Sequence, residues 1–244
     1  MEVILNEKNT KRLPVISLFS GAGGLDIGFR RAGFEIAVAV EIDPSCCDTL
    51  RTNCPDLAVI NKSVTDVTAE ELFEAAKIKR GEAALVIGGP PCQSFSLAGL
   101  RKGLEDDRGK LLFEFVRIVR ETLPQAFVLE NVRGLVNWDH GRALNSLLEE
   151  LSKPIEWDGT TYQYTMPKPQ VLDAVDFDVP QNRERLIIVG NRMGKNFYYP
   201  VPELMKRPKT VWDAIGNLPE PEAPSETALR VSETIKERRL KYGY

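Results

Sequence analysis

The stretch VISLFSGAGGLDIGFRRAGFEIAVAVE, residues 15–41, decides the fold. An apolar segment leads through a turn holding Gly21, Gly23 and Gly24 into a helically spaced segment closed by Gly33, then into a second apolar segment. Short apolar runs bounded by glycine read as buried strands, and a glycine just past a periodic segment reads as a helix C-terminal cap. Strand, helix and strand in this order predict one unit of a parallel α/β sheet. The glycine turn then lies at the carboxyl edge, where such sheets bind ligands. Glycines there let a ligand approach the backbone at the helix N-terminus. Glu41 ends the second strand 20 residues after Gly21, the usual position of a ribose-binding carboxylate. The spacing is not the G-x-G-x-x-G of dinucleotide sites, so a nucleoside cofactor without a pyrophosphate is expected.

Outward from this unit the alternation continues. Asp43 and Pro44 supply an N-cap and a first-turn proline for a second helix. Strands are predicted at 57–60, 83–89, 126–130 and 185–190, and helices over 69–79, 110–123 and 143–151. The strands are apolar on both sides, so the expected fold is α/β, a parallel sheet with helices on both faces. After Gly190 the texture changes: six prolines fall between Pro200 and Pro224, and the chain ends in the charged SETIKERRLKYGY. Two regions are therefore expected, a sheet domain over 1–190 and an extension over 191–244 with one terminal helix.

Composition narrows the chemistry. The 244 residues carry an ordinary soluble balance of apolar and charged side chains, enough for a sizeable core. No apolar run nears the roughly 18–20 residues needed to span a bilayer. The N-terminus lacks a signal-peptide pattern, so a cytoplasmic location is expected. A single histidine, His140, leaves acid–base chemistry to carboxylates, arginines, thiols or water. Cys46, Cys47 and Cys54 lack zinc-ligand spacing and read as packing residues. The net charge is −3, divided as −6 over 1–190 and +3 over 191–244. A nucleic-acid ligand would need much of its positive surface from the extension or from another chain.

Three further stretches carry chemistry. The apolar AALVI (83–87) delivers GGPPCQSFSLAG (88–99) to the carboxyl edge. Gly88 and Gly89 permit a tight exit, while Pro90 and Pro91 stiffen the backbone. A thiol on so rigid a loop suits a positioned nucleophile, which singles out Cys92. AFVLENVRGL (126–135) ends its strand at Glu130, at the same edge, where an enclosed carboxylate can act as an acid. QNRERLIIVG (181–190) sets Arg183 and Arg185 with period-2 spacing, toward one face.

LFSGAGGLDIGF, EIDPSCCDTLRTN, GGPPCQSFSLAG, ENVRGL and QNRERLIIVG, in this order and spacing, resemble the cytosine-5 DNA methyltransferases over about residues 15–190. RGKLLFEFVRIV (108–119) is similar to the segment after that family's catalytic loop. The resemblance implies a Rossmann-like S-adenosylmethionine-dependent methyltransferase sheet acting on a cytosine flipped out of double-stranded DNA. It implies that Cys92 adds to carbon 6 and that Glu130 protonates or hydrogen-bonds N3. Arg185, with Arg183, would hold O2 and the charge near the thiolate. For S-adenosylmethionine it implies that Phe19 stacks on the adenine and that Gly21 and Gly23 make room for the methionine part. Glu41 would take the ribose hydroxyls, Ile42 would pack on the adenine, and Asp66 would accept from the adenine amino group. Pro91 and Leu111 would line the methyl-donor pocket. The family often has an aromatic residue where Ile42 stands. LRKGLEDDRG (100–109) fits the family's loop that closes over flipped DNA.

The sequence departs from the family after the QNRER strand. Members continue into a target-recognition region and two further conserved segments, and nothing after Gly190 resembles those two. TVWDAIGNLPEP (210–221) is similar to the lead into the recognition region. The implied arrangement is the catalytic subunit of a two-chain restriction–modification methyltransferase. A second polypeptide would supply recognition and the last motifs, docking on 191–244. The alternatives are a fragment that binds cofactor without activity, a transfer-RNA methyltransferase, and a nucleotide-binding regulatory protein. The last leaves Cys92, Glu130 and the arginine pair unexplained.

Overall fold

The structure, a computed structural model, describes residues 13–91, 109–202, 207–218 and 226–242. The repeating unit expected at the N-terminus forms as β1 (Pro14–Leu18), α1 (Gly24–Arg31) and β2 (Glu35–Glu41). Next come α2 (Pro44–Asn53), β3 (Ala58–Asn61), α3 (Ala69–Ala76), β4 (Leu85–Gly88), α4 (Gly109–Thr122), β5 (Ala126–Val132) and α5 (Arg142–Ser152). The caps are chemical. Asp43 Oδ1 accepts from the Ser45 and Cys46 amides at the head of α2, and Thr68 and Glu71 close a capping box on α3. Lys77, with φ of 54°, ends α3 at Ala76, three residues short of the expected end.

Strands β1 to β5 are mutually parallel, in the order β3-β2-β1-β4-β5. The sheet does not stay parallel. A hairpin of β6 (Ile155–Trp157) and β7 (Thr160–Tyr162) stands apart, and β8 (Gln170–Asp173) and β9 (Glu184–Asn191) then extend the sheet beyond β5. β9 is antiparallel to β5, and β8 to β9. The link from β8 to β9 is too short for the crossover that a parallel pair requires, so the chain doubles back. The hairpin and β8 are additions to the expected elements.

Side chains alternate between two cores. Ile16, Leu18, Val38, Val86, Phe127 and Leu129 face α3, α4 and α5, with Phe115 of α4 edge-on to Phe127. Val15, Ala39, Ile87 and Ala126 face Leu25 and Phe29 of α1 and Leu50 of α2. Helices therefore lie on both faces, as expected. Cys47 is buried, with its thiol 3.4 Å from the Glu41 carbonyl, while Cys46 and Cys54 are half-buried and unbridged among the described residues.

Beyond Asn191 the chain leaves the sheet and touches it again at Tyr199, whose hydroxyl donates to the Ile187 carbonyl at 2.9 Å. Besides the terminal helix α7 (Glu226–Tyr242), the extension holds a short helix α6 (Val211–Ile215) with a Thr210–Asp213 capping box. No helix among the described residues is long and apolar enough to cross a membrane.

Candidate active site

The sheet's connectivity reverses between β1 and β4, so the turns leaving these neighbouring strands lie side by side at the carboxyl edge. After β1, Phe19 (φ 54°), Gly21 (φ 53°) and Gly23 (φ 87°) carry the chain through left-handed backbone into α1. A Cβ on Gly21 or Gly24 would meet nothing within 4 Å, so the turn borders open space. Gly23 has no such freedom, since a Cβ there would lie 2.9 Å from Leu50.

Glu41 holds this turn. Its Oε2 accepts from the Gly21 amide at 2.7 Å and its Oε1 from the Asp43 amide at 2.9 Å. The next residue, Ile42, is 66% exposed, an apolar side chain presented to solvent beside the cradle. Asn61, which the sequence reading passed over, fixes this corner by donating to the carbonyls of Glu41 and Ile42. Asp66 is exposed on a 3₁₀ turn after β3, and Leu111 is half-buried in the first turn of α4. Phe19 is partly buried against the core. Open space over the glycines, an acid at the end of β2 and an exposed apolar side chain fit a nucleoside-bearing cofactor.

The second cluster lies where β4, β5 and β9 end or begin. Glu130 Oε1 lies 2.7 Å from Arg185 Nε, the side chains being 26% and 24% exposed. On the other flank, a Cβ on Gly89 would fall 2.9 Å from Glu130 Oε2. Pro90 is buried and Pro91 exposed. Asn131 is 2% exposed and donates to the Pro90 carbonyl at 3.2 Å, tying the turn after β4 to β5. Cys92 and most of the stretch 100–109 lie outside the described residues. Arg183 is exposed just before β9, its amide donating to Asp173 Oδ1 at 2.7 Å. Glu130 and Arg185 are thus brought together, while Arg183 stands at the mouth of the strand. A second ion pair, Arg133 Nη1 with Glu184 Oε1 at 2.8 Å, also crosses from the end of β5 to the start of β9 and is more exposed.

A family model described as C-5 cytosine-specific DNA methylase matches residues 13–241. The Type II methyltransferase M.AquIA of Picosynechococcus sp. is 54% identical, over 94% of this chain and 98% of its own length. M.XorII of Xanthomonas oryzae pv. oryzae is 43% identical over 85% of this chain, and M1.HphI of Haemophilus parahaemolyticus 40% over 85%. This chain spans 47% and 53% of those two relatives, about half their length. Among solved structures, a DNA modification methyltransferase encoded within an Escherichia coli prophage superposes with a TM-score of 0.70 at 32% identity, covering 86% of this chain and 56% of its own. Schizosaccharomyces pombe Dnmt2 methyltransferase shares the fold at a TM-score of 0.57 and 20% identity, over 77% of this chain and 52% of its own.

Proposed function

Since this chain belongs to the C-5 cytosine-specific DNA methylase family, we propose that it methylates carbon 5 of a cytosine flipped out of DNA. The observation that carries this is the Glu130 carboxylate, held between Arg185 and Gly89 at the carboxyl edge, next to the turn that leads to Cys92.

S-adenosylmethionine, when bound, supplies the methyl group. Gly21, Gly23, Glu41 and Ile42 are the residues that would hold it, with Phe19 and Asp66 toward the adenine and Pro91 and Leu111 toward the donor end. Carbon 5 of cytosine is a weak nucleophile, and the chain's own residues remedy this. The Cys92 thiolate forms a bond to carbon 6, Glu130 in its acid form protonates or hydrogen-bonds N3, and the displaced electron pair collects at carbon 5. Arg185, with Arg183 beside it, holds O2 and keeps positive charge near the adduct. Once carbon 5 is substituted, its proton leaves to water or hydroxide, the carbon–sulfur bond breaks, the thiolate returns and Glu130 regains any proton it gave to N3.

A second polypeptide completes the enzyme in this proposal. Its support is apolar surface: Tyr198 is 80% exposed and Trp212 78%, with Val201, Val211 and Leu218 also exposed. Val128, and Ile187 opposite Glu130, remain half-buried on the α1–α2 side of the sheet. Relatives such as M.XorII hold about as much chain again beyond the matched part. The domain division follows: 1–190 for catalysis and cofactor, 191–244 for docking.

The test uses duplex DNA carrying 5-fluorocytosine, which cannot lose its carbon-5 substituent as a proton. The chain, with its second polypeptide and cofactor, should form a denaturant-stable adduct, and Cys92→Ala should form none. An adduct with Cys92→Ala would overturn the nucleophile, and adducts with RNA instead of DNA would overturn the substrate.

A further inference from the structure

The glycine turn carries a difficulty of its own. Gly21 and Gly23 have no side chains with which to hold their left-handed backbone, so the turn's shape must be fixed from outside it. One anchor is Glu41 on the Gly21 amide. The other lies inside the protein. Ser17, in the central strand β1, is 1% exposed among Val15, Ile16 and Leu18, a position an apolar side chain would fill at less cost. Its hydroxyl donates to Asp26 Oδ1 at 2.5 Å. Ser20, which opens the turn, directs its own hydroxyl at Ser17, 2.9 Å from Oγ and 3.2 Å from the carbonyl oxygen. The Ser20 amide donates to Val40 and its carbonyl accepts from Gly23, so its backbone is tied at both ends as well.

Asp26 closes the chain of hydroxyls. It sits in the first turn of α1, is 3% exposed, and its Oδ2 has no hydrogen-bond partner among the described residues. Burial pushes the Asp26 carboxyl up from the ordinary aspartate range, with the Ser17 hydrogen bond and Arg30 opposing. A buried acid with one oxygen unpartnered is costly and needs a reason. Hydroxyl to hydroxyl to carboxyl is a polarised sequence in which each bond orients the next.

We propose that Ser20, Ser17 and Asp26 form a positioning relay that fixes the glycine turn, and that the affinity for S-adenosylmethionine depends on it. The relay rests on the reading of that turn as the cofactor cradle. All three residues are buried, and Ser17 and Asp26 lie beneath the turn rather than in it. They act through the backbone of 20–23, so they are positioning residues.

Isothermal titration of the full chain, alone and with its second polypeptide, with S-adenosylmethionine and S-adenosylhomocysteine tests this. Ser17→Ala and Asp26→Ala should each weaken binding about tenfold, the worth of one buried hydrogen bond. Asp26→Asn keeps an oxygen to accept from Ser17 and should stay within about twofold. Ser17→Ala/Asp26→Ala should bind no worse than either single variant, because both break the same relay. Ser20→Ala, which removes only the outer hydroxyl, carries the same expectation if Asp26→Ala does not fold. Lowered melting temperatures with unchanged affinities would overturn the relay and leave the three residues merely structural. Absence of binding by the unaltered protein would overturn the cofactor reading and the relay together.

Discussion

A methyl group on Gly89 would sit 2.9 Å from Oε2 of Glu130. The nearest obstacle is the end of a side chain, so the carboxylate and not the backbone would give way. The carboxylate must move by about half an ångström to restore ordinary contact, and displacing an acid that far costs on the order of 10-fold in rate, against about 100-fold for a full 1 Å. Gly89→Ala should therefore slow adduct formation on 5-fluorocytosine DNA by about 10-fold while cofactor affinity stays within about twofold. Adduct formation at the unaltered rate would show that the Glu130 carboxylate is not near the reacting ring.

Arg185 holds the same carboxylate from the opposite side. Arg185→Ala should lower methyl transfer by about 100- to 1,000-fold, the usual cost of losing one electrostatic stabiliser. Arg185→Lys should recover only part, since a single ammonium cannot reproduce the guanidinium fork. The neighbouring Arg133–Glu184 pair is far more exposed and supplies the control. Arg133→Ala should leave the urea midpoint of unfolding where it is in the unaltered chain.

Stability should carry a pH signature at Asp26. Its folded pKa is raised above the unfolded one, so between the two values the folded chain binds more protons. The stabilisation this provides is present at low pH and is lost as pH rises through that window. Asp26→Asn does not titrate. Urea unfolding of both proteins between about pH 4 and pH 7 should show the asparagine variant gaining on the unaltered chain as pH rises, then levelling. A constant difference across the range would place the carboxyl in the same surroundings folded and unfolded.

The extension offers a test that separates docking from folding. Trp212 is 78% exposed, so Trp212→Ala should leave the melting temperature within about 2 °C, as surface changes do. Association with the proposed second polypeptide should weaken by about 30-fold, equivalent to about 2 kcal/mol for an aromatic anchor. Sedimentation of the mixed chains reads this directly. Unchanged association would move the interface away from α6.

Much of this was legible in the sequence because one signal repeats. The unit of 15–41 combines apolar strand, glycine turn and cap, and the same grammar recurs through β5. The direction of β9 was not legible, because RLIIVG is apolar on both sides whichever way it runs. The β6–β7 hairpin carried a signal that was missed, Asp158-Gly159 between aromatic and β-branched residues, the dipeptide that favours a two-residue hairpin turn. The Thr210–Asp213 box likewise announced α6. In the site, Glu41 and Glu130 were legible as acids at strand ends. Asn61, Asn131 and Asp26 were not, because their work is to bond backbone or buried hydroxyls that only the folded chain brings near.

The polarity of β9 has a chemical consequence. Strands β1 to β5 all bring their carboxyl ends to the reactive edge, and in such a sheet a basic side chain at the start of a strand is normally carried to the far side. β9 is eight residues long, about 26 Å at 3.3 Å per residue. Had it run with its neighbours, Arg185 would lie a full sheet-width from Glu130. Running against them, it delivers its first residues to where the others deliver their last, and so imports a fixed cation into an edge otherwise furnished by strand C-termini. In the proposed function, one reversed strand gives a nucleoside-binding scaffold the cation with which to hold an electron-rich pyrimidine adduct.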